Sequence, residues 1–262
     1  MDLVSDLDGI KGFIVDLDGV VYLRHELIPG ADLFVREVQA SGRKLAFLTN
    51  NSTRTRAQYV STLSDLGIPA REEDIVTSSY ATALYLSRKA PGSRVYVVGQ
   101  SGLIRELSRA GLDVMKQPPA DFVVVGIDDD FNYGKLRTAS SLIRSGSGFI
   151  ATNTDATYPT ESGPLPGAGS MVSAVRVASE RRPTVIGKPS RWIFRIALDV
   201  LDLAPEEVAV VGDRLETDIK GGLDMGMKTI LVLSGVTPEN PESSDITPHL
   251  TYTSIADMVL RG

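Results

Sequence analysis

The feature that most constrains this chain is a short apolar run, Phe13-Ile14-Val15, that stops at Asp16-Leu17-Asp18-Gly19. A run without polar alternation suits a strand buried on both faces, as in a parallel sheet covered by helices. In an open α/β sheet, ligands sit beyond the carboxyl ends of the strands, so two carboxylates at that point mark a candidate reaction centre. An aspartate can attack phosphorus and leave an acyl phosphate for water to hydrolyse. A second carboxylate can protonate the leaving oxygen and then take a proton from the water. Gly19 lets the backbone turn away sharply. The tetrapeptide alone is not diagnostic. Asp6-Leu7-Asp8-Gly9 repeats its letters with no apolar strand before it, and reads as a surface turn or helix end.

The rest of the chain continues the strand–helix theme. Ala31, Phe34, Val35 and Val38 follow the i, i+3, i+4, i+7 pattern of a helix, and Gly42 suits its C-terminal stop. Lys44–Leu48 is the next expected strand, with Thr49-Asn50-Asn51-Ser52 at its carboxyl end. A helix over about 54–66 and a short strand at 74–77 complete this series. From Tyr80 a new series begins, with expected strands at 94–98, 122–125 and 149–151 and helices around 103–110 and 135–144. A helix carrying Ile193, Ile196, Ala197 and Val200 then precedes buried strands at 208–213 and 229–233. Pro238 to Pro248 reads as a loop before a short C-terminal helix. The simplest account is a parallel-sheet core of 1–79 and 185–262, interrupted by a second α/β domain of 80–184.

Absences narrow the chemistry. Cysteine is missing, which removes thiol nucleophiles, disulfides and cysteine zinc sites. Only two histidines occur, His25 and His249, both expected at the surface, so a histidine metal cluster is nearly excluded. The formal net charge of -6 and the lack of a basic stretch argue against nucleic-acid binding. Apolar runs are of strand length, so no membrane span is expected. Met1 to Asp6 shows neither a basic nor an apolar leader region, and the expected location is the cytoplasm.

Four groups of polar residues fall just past core strands or at helix starts: Asp16/Asp18, Thr49/Asn50, Lys188, and Asp213 with Asp218. Strand ends of one parallel sheet converge on one edge, so these groups can meet. Clustered carboxylates repel one another, and a divalent cation relieves the repulsion. Oxygen ligands without histidine or cysteine favour Mg²⁺. Asp16 and Asp213 are the best side-chain ligands, with the backbone carbonyl of Asp18 as a third. Asp218 would act through water or by orienting the ligands. Thr49 offers a hydroxyl, with backbone N–H groups nearby, for phosphate oxygens, and Lys188 a compensating positive charge. Each residue alone has a plainer reading: a helix cap for Thr49-Asn50, an exposed turn for Lys188 or Asp213. Two other functions use similar parts: a phospho-accepting signalling module, and a non-enzymatic α/β binding protein.

Asp16-Leu17-Asp18-Gly19-Val20, Leu48-Thr49-Asn50, Gly187-Lys188-Pro189 and Gly212-Asp213 through Asp218 resemble, in order, the four motifs of the haloacid dehalogenase superfamily of phosphohydrolases. The insert, with Thr152-Asn153-Thr154-Asp155-Ala156 and Pro166–Ser170, is similar to the class IIA cap of the NagD-like, 4-nitrophenylphosphatase subfamily. The resemblance implies a Rossmann-like core with an inserted α/β cap of the C2 type. It implies Mg²⁺-dependent hydrolysis of phosphomonoesters through an aspartyl phosphate. Asp16 would be the nucleophile and Asp18 the general acid/base. Thr49, Asn50 and Lys188 would hold phosphate, and Asp213 would bind Mg²⁺. Family substrates include nucleoside monophosphates, phosphoglycolate, pyridoxal phosphate, and sugar or glycerol phosphates. Asn153, Asp155 and Gly167 of the cap are expected to face the leaving group. Relatives often pair through their caps, so a homodimer is an expected assembly.

Overall fold

The computed structural model describes residues 3–24, 26–160, 163–235 and 245–259. His25 and residues 238–244 of the expected C-terminal loop lie outside them. The chain divides into two compact units, residues 1–49, 57–76 and 188–262, and residues 50–56 and 77–187.

The first unit is organised on a six-stranded sheet. In spatial order its strands are Leu250–Tyr252, Lys228–Val232, Val208–Gly212, Gly12–Asp16, Lys44–Thr49 and Ile75–Thr77. The ladders from Leu250–Tyr252 across to Lys44–Thr49 are parallel. Gly12–Asp16 and Val208–Gly212 are buried along their whole length, which accounts for their unbroken apolar character. The chain leaves Gly12–Asp16 toward one edge and later returns on its other side, so these two adjacent strands flank a topological switch point. The register pairs Val15 with Val211 and Asp16 with Leu48. This brings Asp16, Thr49 and Asp213 to the same sheet edge.

The helix Ala31–Ala40 buries Ala31, Phe34, Val35 and Val38, the face expected from their spacing. Phe34 meets Phe13 edge to face, with ring centroids 5.3 Å apart. The early Asp6–Gly9 copy of the acidic tetrapeptide forms a single 3₁₀ turn with Asp6 and Asp8 exposed, as its sequence context predicts.

The second unit has its own parallel sheet, ordered Thr184–Val185, Gly148–Ala151, Phe122–Val125, Arg94–Val98 and Asp113–Met115. Its core gathers Val98, Val123, Val125 and Ala151 with Val172 and Val175. The last two belong to a helix, Ala168–Ser179, that sequence reasoning did not find. Gly163–Pro166 forms a strand that pairs antiparallel with Thr157–Thr160.

Residues 50–56 correct the sequence reading, which placed them in the core. They pack with the second unit. Ser78 Oγ donates to the Asn50 carbonyl (2.6 Å) and Ser79 Oγ to that of Ser52 (2.8 Å). The Gly102 N–H donates to the Thr53 carbonyl, and any side chain at Gly102 would collide with that backbone. The Arg56 guanidinium lies 3.9 Å from the Tyr80 ring centroid and 3.7 Å from the buried Glu106 carboxylate.

Candidate active site

Asp16 ends its strand, and the chain turns at once. Val21 and Tyr22 N–H groups both donate to the Leu17 carbonyl, and Gly19 donates to Tyr22. Gly19 has φ +86, a conformation that favours glycine. It is also bare for a second reason: a Cβ there would sit 2.5 Å from Asp213 Oδ2. Asp18, half-buried, lies in this turn.

Asp16, Asp213 and Asp218 are buried, and each offers a carboxylate oxygen within 4.8 Å of those of the other two. Lys188 reaches the same place. Its Nζ lies 2.8 Å from Asp16 Oδ1 and 2.7 Å from Asp218 Oδ1, with only 3% of the residue exposed. The plain alternative of an exposed turn lysine is therefore ruled out. The Leu17 N–H also donates to Asp16 Oδ1 (2.8 Å), and Thr217 Oγ1 donates to Asp218 Oδ2 (3.0 Å). A bare Gly212 makes room for the Asp218 side chain. Thr49, 3% exposed, closes the adjacent strand.

Burial opposes the charge on Lys188, but the charges of Asp16 and Asp218, and the hydrogen bonds to them, outweigh it and hold the ammonium above its ordinary pKa. Burial also pushes the Asp16 carboxyl well above the usual carboxylate range against the pull of Lys188, and Asp218 and Asp213 add to the rise. Three carboxylates gather beside one ammonium, two negative charges in excess when all three are ionised. A divalent cation would balance that excess, and an all-carboxylate donor set suits Mg²⁺. Asp18 does not join the converging side chains, and the role expected of it there was through its backbone carbonyl.

Sequence reasoning missed Ser234 and Gly235. Ser234 Oγ donates to the Gly19 carbonyl (2.7 Å), and a side chain at Gly235 would run into the Asp213 carboxylate. The available signal was their position, a Ser-Gly pair just past a predicted strand of the same sheet.

In the second unit, Asn50, Asn153 and Asp155 come together. Asn50 Nδ2 donates to Asp155 (3.0 and 3.2 Å to its two oxygens), and Asn153 Nδ2 donates to the Asn50 carbonyl (2.7 Å). Asn153 is 2% exposed and holds this network, which differs from the substrate-facing position expected of it. The Gly167 and Gly169 N–H groups donate to the carbonyls of Ala156 and Asp155, so Gly167 also serves the local turn.

A haloacid dehalogenase-like hydrolase model matches residues 13–113, and a second model of HAD-like hydrolases matches 185–258. An acid sugar phosphatase of Staphylococcus aureus is 39% identical over 95% of this chain and 96% of its own. The chain belongs to the haloacid dehalogenase-like hydrolases. Within them it falls in the NagD-like, 4-nitrophenylphosphatase group. The p-nitrophenyl phosphatase of Archaeoglobus fulgidus has a similar structure (TM-score 0.90, 37% identity, 95% of this chain and 98% of that one). So does a glycerol phosphate phosphatase of Mycobacterium tuberculosis solved with magnesium (TM-score 0.88, 33% identity, 98% and 78%). Its named relatives make this haloacid dehalogenase-like hydrolase a phosphatase. Among its described residues no helix is long and apolar enough to cross a membrane.

Proposed function

We propose that the chain is a Mg²⁺-dependent phosphomonoester hydrolase that works through an aspartyl phosphate on Asp16. The observation that carries this reading is the buried cluster in which Lys188 bridges Asp16 and Asp218 beside Asp213. Among the described residues, the Leu17 N–H and Lys188 Nζ both meet Asp16 at Oδ1, so attack on phosphorus is assigned to Oδ2. As the new Oδ2–P bond forms, the ester P–O bond breaks, and the leaving oxygen takes the proton of the Asp18 carboxyl. Asp18, now ionised, takes a proton from the water that attacks phosphorus. Inorganic phosphate departs and the Asp16 carboxylate is restored. Thr49, Asn50 and Lys188 hold the phosphoryl oxygens. Asp16 and Asp213, with the Asp18 carbonyl, would hold Mg²⁺, and Asp218 anchors Lys188 and steadies those ligands. The cation would supply charge neutralisation for the crowded carboxylates and the phosphoryl group.

The second unit is assigned the role of a cap, and two copies are proposed to pair through it. The substrate class is a small phosphorylated metabolite. Sugar and glycerol phosphates lead, in keeping with the activities for which the relatives are named. Nucleoside monophosphates, phosphoglycolate and pyridoxal phosphate remain in the test panel.

The test is phosphate release from 4-nitrophenyl phosphate and that panel, with and without Mg²⁺. Asp16→Asn should lower kcat by about 10³-fold or more while the melting transition survives. Retained turnover in that variant would remove the covalent route. Asp18→Ala should bind phosphate yet fail to turn over. A stable phosphoprotein without turnover would point instead to a signalling module.

A further inference from the structure

Asp155 has no assigned role beyond the expectation that it faces the leaving group. We infer that it is a positioning residue, one that fixes the side-chain amide of Asn50. This rests on the proposed role of Asn50 as a phosphate donor.

Asn50 is 8% exposed, and its backbone carbonyl and its side-chain nitrogen are both held within the second unit. Its carbonyl accepts from Ser78 Oγ (2.6 Å) and Asn153 Nδ2 (2.7 Å), which pins the backbone. Its Nδ2 faces the Asp155 carboxylate at 3.0 and 3.2 Å. Its Oδ1 lies over the bare face of Gly187, where a Cβ would come within 2.5 Å of it. Asp155 is itself placed by the backbone: its N–H donates to Asn153 Oδ1 (3.0 Å), a short-range turn that sets the carboxylate two residues after the amide that grips Asn50.

An ionised carboxylate only accepts, so the edge of the amide that faces it must carry nitrogen. The reverse orientation would set the lone pairs of Oδ1 against the anion. The amide is planar, and its two N–H bonds diverge by about 120°. Holding one N–H on Asp155 therefore fixes the direction of the other and turns the carbonyl oxygen away. A phosphate dianion is recognised by donors and repelled by an exposed oxygen. Asp155 thereby decides whether Asn50 presents a donor or an acceptor.

The experiment is a double-mutant cycle on the full chain. It uses Asp155→Ala, Asn50→Ala and both together, with the inhibition constant of inorganic phosphate and the KM and kcat for 4-nitrophenyl phosphate measured in Mg²⁺. Asp155→Ala should weaken phosphate binding by about tenfold alone, the scale of one hydrogen bond to a charged group, and by less than about twofold in the Asn50→Ala background. Asp155→Asn keeps one acceptor oxygen and should lie between wild type and alanine. If Asp155→Ala does not fold, Asp155→Asn carries the cycle. The same factor in both backgrounds, or no factor, overturns the inference. So does an effect of Asp155→Ala on the KM for 4-nitrophenyl phosphate that far exceeds its effect on the inhibition constant of inorganic phosphate, which would return Asp155 to direct contact with the leaving group. An inactive wild-type chain would sink the phosphatase reading and this inference together; an active chain without coupling sinks this inference alone.

Discussion

The two sheets carry contrasting charge at the ends of their strands. Past the six-stranded sheet, Asp16, Asp213 and Asp218 converge with a single lysine, Lys188. Past the Phe122–Val125 strand of the other sheet, buried Asp128 meets Lys135 Nζ at 2.7 and 2.9 Å, one anion with one cation. Both arrangements hide carboxylates from water. Only the first leaves charge uncompensated, and a fold tolerates that cost where something else binds. Balance suits the second to a structural pair, and imbalance is what supports the first as the proposed reaction centre.

The sharpest way to break this contrast is to remove the one cation from the unbalanced cluster. Lys188→Met should cost about 10²- to 10³-fold in kcat, because both the phosphate and Asp16 lose their nearby charge. It should also make the fold more dependent on Mg²⁺, so that added Mg²⁺ raises the melting temperature of the variant more than that of wild type. An equal rise in both would mean the excess charge is not what the cation relieves.

The balanced pair should respond in the opposite way. Asp128→Asn leaves Lys135 without its carboxylate partner, and denaturant unfolding should show a loss of about 2 kcal/mol, below the usual figure for a fully buried pair because Lys135 is partly exposed. The kcat of material that remains folded should stay within about twofold of wild type. A large fall in kcat at unchanged stability would make this edge a second functional centre.

The smallest effect is expected at the opposite, amino-terminal edge of the second sheet. There Arg94 holds Asp121 through its side chain (2.7 and 3.2 Å) and its N–H (2.9 Å), which lowers the Asp121 pKa to about 2. A depressed carboxylate favours the native state above its unfolded pKa, and that contribution fades as pH falls toward 2. Wild type should therefore lose slightly more stability than Asp121→Asn between about pH 4 and pH 2 in acid melts. Parallel acid profiles would mean the pair contributes nothing in water, as many exposed pairs do.

The same contrast explains what was legible in the sequence. The strands at 12–16 and 208–212 were readable because burial on both faces writes itself as an apolar run. The carboxylates at 16 and 213 were readable because each ends such a run. The helix Ala168–Ser179 was not, since Gly167-Ala168-Gly169-Ser170 has the composition of a loop. Its glycines serve close packing instead: side chains at 167 or 169 would strike the backbone carbonyls of Asp155 and Thr154. The allegiance of residues 50–56 was hidden for a different reason. Their anchors, among them Ser78, Ser79, Gly102, Glu106, Asn153 and Asp155, lie from 27 to 105 residues away, and such contacts leave no periodic trace.

That allegiance has a practical consequence for building chimeras. Thr49 and Asn50 are chain neighbours, yet they belong to different compact units. A transplant of residues 80–184 from a relative would keep Ser78 and Ser79 but set the 50–56 loop against foreign residues at 102, 106, 153 and 155. Exchange of substrate preference should succeed only when 50–56 travels with 77–187, so that the donor sequence brings its own anchors for the loop it grips.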